Sequence, residues 1–455
     1  LLIINLLIFN SKNAYFLKIE KKLQAKAFRL KVFLNFVIQN FNFNRKTKTL
    51  KSLAQFLRSN FKTVSFGWSL TFLSSFGQTF LISLYVPELV KTFEISEGTF
   101  GSIYALGTVI ASVILIAVGH TIDHKPVKTV VLLNFTGLIL SCLILSFSPY
   151  HISLLILAMI GLRLTGQGMM SHISQTVISR YYGANRGKAL SVAALGFPMG
   201  EAIFPICITT IIVDFGFEIA AQTSAVFLTL CLIVFSFRNL SYFDKESQVA
   251  KKPSFKTLAK DFGGIIKDRR FAVLMPSTFM LSFTSTAVFL YQYTFVEEKG
   301  WSVSLYAAFF TGYAITRFIM SVIGGLWVDK FTAKKLYRFF LIPQALGLLP
   351  FAFMDSIAGA LIFLIMTGIS TGVAGTVKSA VLAEVYGTAK LGAVNSLFSM
   401  GMILSTALAP LLIGFLIDQG VAFPYLMLTL FGMLVIAILN SQRLGNIPAI
   451  KEVTA

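Results

Sequence analysis

Long apolar stretches follow one another from about residue 64 to residue 441, each close to the 20 residues a helix needs to cross a bilayer, with short polar breaks between them. Nothing else in the chain limits its fold as strongly. Hydrocarbon offers no water to backbone donors and acceptors, so a spanning segment either bonds to itself as a helix or joins a closed barrel. Barrel strands are half as long and alternate in hydropathy, which these stretches do not. The fold class is therefore all-α integral membrane. With 56% hydrophobic and only 13% charged residues, the chain carries more apolar surface than one water-soluble core could bury.

The stretches number twelve, at roughly 64–86, 98–119, 128–147, 151–178, 187–212 and 217–237, then 271–295, 303–328, 336–354, 357–383, 390–416 and 421–441. This divides the chain into a basic leader at 1–63, a six-helix bundle at 64–238, a linker at 239–270, a second six-helix bundle at 271–441 and a tail at 442–455. The linker is polar, with Lys245, Lys251, Lys252, Lys256, Lys260 and Lys267. Loops on its side carry Lys125, Lys128, Arg180, Arg186, Lys334 and Arg338, whereas the opposite loops carry Glu88, Glu94, Asp214, Glu297, Asp355 and Asp418. Positive loops stay inside, so both termini are expected in the cytoplasm, with the protein in the plasma (inner) membrane.

The net charge of +20 does not point to nucleic acid, because more than half of it lies before residue 64. There Phe16, Ile19, Leu23, Ala27, Leu30, Leu34 and Val37 repeat at helical spacing opposite Lys18, Lys22, Lys26 and Arg29, the pattern of a helix lying on anionic lipid. A leader with no function fits the same residues equally well. It is not a signal peptide, since no basic residue precedes the apolar run at 1–9 and no small-residue cleavage site follows it. Cys142, Cys207 and Cys231 fall inside apolar stretches without close spacing and read as packed free thiols. His120 and His124 sit in a loop, and no metal or cofactor set appears.

A Gly-x-x-x-Asp signature, Gly119 to Asp123 and Gly325 to Asp329, recurs after the second stretch of each half, and a Tyr-Gly pair recurs at Tyr182 and Tyr386. Internal duplication of this kind builds alternating-access carriers. The segment Gly119-His120-Thr121-Ile122-Asp123-His124-Lys125-Pro126-Val127-Lys128 resembles the G-x-L-A-D-R-x-G-R-K loop of the major facilitator superfamily, and Gly325 to Lys335, with Asp329 and Lys330, resembles its second copy. The first copy keeps Gly119, Asp123 and Lys128 but departs at Thr121, His124, Pro126 and Val127. The resemblance implies two pseudo-symmetric bundles and a latch in which Asp123 meets the start of span eleven near Ala389–Gly392. A helix N-terminus favours a carboxylate there. A solvated loop acid is the plainer reading. Arg180 lies in Arg180-Tyr181-Tyr182-Gly183-Ala184-Asn185-Arg186-Gly187, which resembles the monocarboxylate porter branch.

Charges within the apolar stretches are the sharper signal, because each is costly in hydrocarbon unless it faces water or a partner. Arg163, Glu201, Arg317 and Lys378 are such charges. Arg163 resembles the span-four Arg of the family, and Arg317 resembles the span-eight Arg with which the monocarboxylate branch holds a carboxylate. Glu201 reads either as a proton carrier opposed by Arg163 or as its static ion-pair partner. Three cations against one acid leave a positive cavity that favours an anion, although Lys378 could reach the cytoplasmic edge instead. Gln78, Gln167, His172, Gln175, Tyr291, Gln292 and Asn395 are further polar candidates, and because spans one and seven line the cavity in the family, Gln78 and Gln292 lead them. Gly196, Pro198, Gly200, Gly368, Gly372, Gly375 and Pro410 read as bends or packing sites.

The expected activity is secondary transport of a small organic anion, driven by protons, with the chain a monomer in lipid. Antiport of amphipathic drugs is the alternative within transport, and a membrane-embedded receptor or enzyme the alternative outside it. No nucleotide loop or paired nucleophile supports the last.

Overall fold

In a computed structural model, described for residues 43–119, 121–182, 186–246, 262–387 and 391–447, the chain forms two compact units, one up to Lys62 and one from Thr63 onward. The amphipathic helix read at Phe16–Val37 lies outside the described residues. In the first unit the described residues are helical, with Asn60 out of helical geometry at φ −119° and ψ 17°.

Among the described residues there is no strand, and eleven helices are long and apolar enough to cross a bilayer. A twelfth span is the pair Arg58–Gly77 and Thr79–Phe93, bent by 42°, so span one runs further than the reading at 64–86 and is broken. Spans two to six are Glu97–Val118, Val127–Ser146, Ile152–Tyr182, Lys188–Phe215 and Phe217–Phe237. Spans seven to twelve are Arg269–Glu298, Val303–Phe331, Ala333–Phe353, Ala358–Tyr386, Leu391–Asp418 and Phe423–Gln442. Val113, Val226, Phe237 and Ile436 are exposed, an arrangement that water would penalise and lipid does not. Of the cysteines Cys142 is buried and Cys231 half-buried, while Cys207 is exposed, against its reading as packed. His124 ends a short helix, Thr121–His124, in place of the expected loop.

The two halves meet where span two packs on span eleven, span five on span eight, and span seven on the broken span one. Span seven is the most enclosed helix, with 78% of its apolar window buried, so its residues face protein on almost every side. One end of the bundle, the linker end, carries the linker, and the far end lies opposite it.

Two local irregularities shape the interior. Span one tightens to a 3₁₀ turn at Ser74–Gly77 and then extends at Gln78 (φ −81°, ψ 151°). Span four, facing it, widens into a π-helix at Leu162–Met170, a form that tends to mark functional sites. The two cross at Gly77 and Gly166, where a Cβ on either glycine would run into the other span's backbone. Such close approach needs glycine. Gly196 and Gly200 pack on span one, and Gly368 and Gly372 on span eight, so these four are packing sites, whereas Gly375 has open space beside it.

At the linker end, Asp268 caps span seven. Its carboxylate accepts from the Arg270 backbone N–H at 2.8 Å and from Arg270 Nε at 2.7 Å, while Arg270 Nη1 donates to the Val385 carbonyl at 3.0 Å and the guanidinium lies over the Tyr386 ring. Hydrogen bonds from the Arg270 side chain hold the Asp268 carboxyl below its ordinary value, with the backbone bond and the charge of Arg270 adding to them. A depressed carboxyl stabilises the fold above the ordinary Asp value of about 3.9 and ceases to as the pH falls through its lowered folded value. Asp268→Ala should therefore lower the thermal midpoint at pH 7 by the equivalent of about 1 kcal/mol and by less at pH 3, which lies below the ordinary Asp value. Equal shifts at both pH values in a detergent melting series would contradict this.

Candidate functional site

Two neighbouring voids lie between the halves and share Gln167 and Thr406 in their walls. One, of about 300 Å³, sits at mid-depth among spans one, four, five, seven, eight, ten and eleven; the other, of about 330 Å³, continues toward the linker end between spans two, four and eleven. Glu201, Arg317, Lys378, Gln78 and Gln167 line the first, and Arg163, Gln167, His172 and Gln175 the second.

Glu201 on span five, with its side chain 8% exposed, pairs with Arg317 on span eight through Oε1 and Nη1. The expected pairing with Arg163 does not form. Arg163 is held by the broken span one and by span two: Nη1 donates to the Gly77 carbonyl of span one at 3.3 Å, Nε donates to Thr108 Oγ1 of span two at 3.1 Å, and the guanidinium lies 4.8 Å from the Tyr104 ring centre, also on span two. The 3₁₀ turn frees a carbonyl that has no helical donor, and a buried guanidinium satisfies it. The ion pair of the cavity thus joins the two halves, where a pair with Arg163 would have stayed within one. Glu201 Oε2 is buried and has no hydrogen-bond partner among the described residues.

Lys378 on span ten lies in the mid-depth wall and not at the linker edge, with Met402 Sδ 2.8 Å from its Nζ. Among the described residues neither Lys378 nor Arg163 has an acidic partner. One excess cation therefore reaches the mid-depth void beyond the Glu201 and Arg317 pair.

Three other candidates lie elsewhere. Tyr291 and Gln292 stand near the far end of span seven and close it. The Tyr291 hydroxyl donates to the Pro410 carbonyl at 2.8 Å and lies 3.0 Å from the Glu97 carbonyl; Gln292 Nε2 donates to Ser83 Oγ at 2.7 Å, and Gln292 Oε1 accepts from the Tyr306 hydroxyl at 3.0 Å. Asn395 is exposed near the linker-end start of span eleven and lines neither void. His172 borders the second void, with Nε2 3.1 Å from the Gly119 carbonyl.

The far-end seal has a residue that the sequence reading left as a loop charge. Asp418, at the end of span eleven, accepts from Ser96 Oγ at 2.6 Å and from the Gly98 N–H at 3.2 Å, capping the N-terminus of span two. Gly98 and Gly414 let these two spans touch, since a Cβ on Gly414 would strike the Glu97 carbonyl, Gly98 and the Tyr291 hydroxyl.

At the linker end Arg180 Nη1 donates to the Ile122 carbonyl at 3.4 Å, Lys128 is half-buried, Gly325 lies within span eight, and Lys330 rests over the Phe331 ring. The side chains of Asp123 and Asp329 and residues 388–390 are outside the described residues, and with them the expected latch. The polar face of span seven, Ser282, Ser285 and Thr286 with Phe289, also escaped the sequence reading, although spacings of three, four and seven mark one helix face.

The Major Facilitator Superfamily profile matches residues 67–309 and 274–445. Among solved structures, a bacterial homologue of the human lysosomal transporter Spinster, inward-facing and unoccupied, is similar with a TM-score of 0.66 at 13% identity, over 85% of this chain and 98% of that one. The nucleoside transporter NupG is similar with a TM-score of 0.66 at 14% identity, over 84% and 99%. At such identities the likeness is one of fold. No curated protein sequence matches.

Proposed function

The chain belongs to the major facilitator superfamily, and from that premise we propose that it is a proton-driven secondary transporter moving a small, monocarboxylate-like organic anion by alternating access. A multi-pass membrane protein of a transporter family, it is not an enzyme. One observation carries the finer reading: a buried carboxylate and an arginine from opposite halves meet in the cavity, beside a lysine without an acid. A carboxylate from the substrate competes with Glu201 for Arg317. A proton on the unpartnered Glu201 Oε2 neutralises the acid, releases the guanidinium to the substrate and removes an ionic tie between the halves. Lys378 supplies the standing positive charge that draws an anion into the void. The basic loops at the linker end support a reading in which that end, and both termini, face the cytoplasm; in it the protein works as a monomer, with protons and lipid as its other partners.

The aromatic walls at Phe80 and Phe289 favour a second reading, export of amphipathic cations in exchange for protons. Thermal-shift measurements on purified protein with small carboxylates and cationic drugs, at pH 5.5 and 7.5, separate the two. Carboxylates should stabilise the wild type, more at the lower pH, and Arg317→Ala should abolish that response. Stabilisation by cations alone, unchanged in Arg317→Ala, would reverse the choice of substrate.

A further inference from the structure

Most hydroxyls within the spans are spent on their own helix, as Thr371 Oγ1 donating to the Thr367 carbonyl at 2.8 Å and Thr406 Oγ1 to the Ile403 carbonyl at 2.8 Å are. Ser282 and Thr286 on span seven are not: they face the mid-depth void and make no hydrogen bond among the described residues. The side-chain amides of Gln78 and Gln167, on the opposite wall, likewise have no hydrogen-bond partner among the described residues. Each amide offers two donors and an acceptor, and each hydroxyl a donor and an acceptor. A ligand with a bare hydrocarbon body would strip water from all four groups and return nothing, and every unpaired buried polar group costs about 1–3 kcal/mol. The void, at about 300 Å³, stands at the small end of ligand pockets.

Resting on the anion reading above, we propose that the substrate is a polyhydroxylated carboxylate of sugar-acid type, its carboxylate drawn to Lys378 and Arg317 and its hydroxyls bonded by Gln78, Gln167, Ser282 and Thr286. The aromatic faces of Phe80 and Phe289 serve the C–H side of such a body, and the polar groups discriminate against an unsubstituted chain. Sites built to bond hydroxyls reject analogues lacking them by large factors.

Three six-carbon probes on the purified full-length protein, by titration calorimetry and thermal shift, test this: gluconate, hexanoate and sorbitol. Gluconate should bind about 100-fold or more tightly than hexanoate, and measurably where sorbitol does not. In the double variant Ser282→Ala, Thr286→Val, gluconate affinity should fall about tenfold with hexanoate unchanged. Hexanoate binding as tightly as gluconate in the wild type would overturn the hydroxylated substrate and leave the anion reading standing. Sorbitol equal to gluconate would overturn the anion reading, and failure of all three to bind would overturn both. The wild-type panel decides these outcomes whether or not the variant folds.

Discussion

Glu201→Gln should abolish proton-driven uptake while sparing exchange. In proteoliposomes with a pH difference of two units, one proton per anion supports accumulation of about 100-fold, since each unit is worth 1.36 kcal/mol; the variant should show none. Counterflow of labelled against unlabelled substrate needs no net proton movement and should stay within about threefold of wild type. The substitution keeps the shape of the side chain and an acceptor for Arg317, so the tie between spans five and eight survives in a weaker, neutral form. What is lost is the oxygen proposed to take up the proton. Equal loss of uptake and counterflow would show Glu201 to be a structural member of the pair and end its role as carrier.

The far-end seal predicts the second large effect. Gly414→Val places methyl groups where the Glu97 carbonyl, Gly98 and the Tyr291 hydroxyl now touch span eleven. Backbone cannot yield as a flexible side chain would, and overpacking of this kind costs about 1–3 kcal/mol. Spans two and eleven belong to different halves, so separating them relieves the clash with the Glu97 carbonyl and Gly98, while the Tyr291 hydroxyl on span seven, the tip of a side chain within the same half as Gly414, yields by turning aside. The variant should hold the far end apart, reduce transport by about 100-fold, and melt within a few degrees of wild type. Ser96→Cys, introduced in both backgrounds, reports the state: an impermeant maleimide added from the far side should label it faster beside Gly414→Val. Unchanged labelling together with unchanged transport would exclude the seal as a moving part.

The spans, the duplication and the family resemblance were legible because hydrophobicity over about 20 residues is a strong, local signal. The partner of Glu201 was not. Arg163 shares its half and sits in a neighbouring span, and only the break at Ser74–Gly77 explains why its guanidinium turns to span one. A helical break of this kind leaves no mark beyond the small residues Ser74, Ser75 and Gly77 around Phe76, which a reading of charges passes over. Depth would have corrected Gln292: it lies ten residues beyond Ser282 in one helix, about 15 Å further along the axis, and so belongs with the far-end contacts. Tyr291 and Gln292 are also adjacent, about 100° apart around the helix, and cannot both face one void. Asp418 was overlooked for the opposite reason: a charge in a loop looks solvated until the helix it caps is known.

Among the described residues the mid-depth void holds a single carboxyl, Glu201. A single carboxyl carries one proton, and one proton beside one monoanion carries no net charge through the barrier. Lys378 remains with the protein in every state, so a cycle of this kind is blind to membrane voltage, and the gradient a cell can build through it is set by acidity alone.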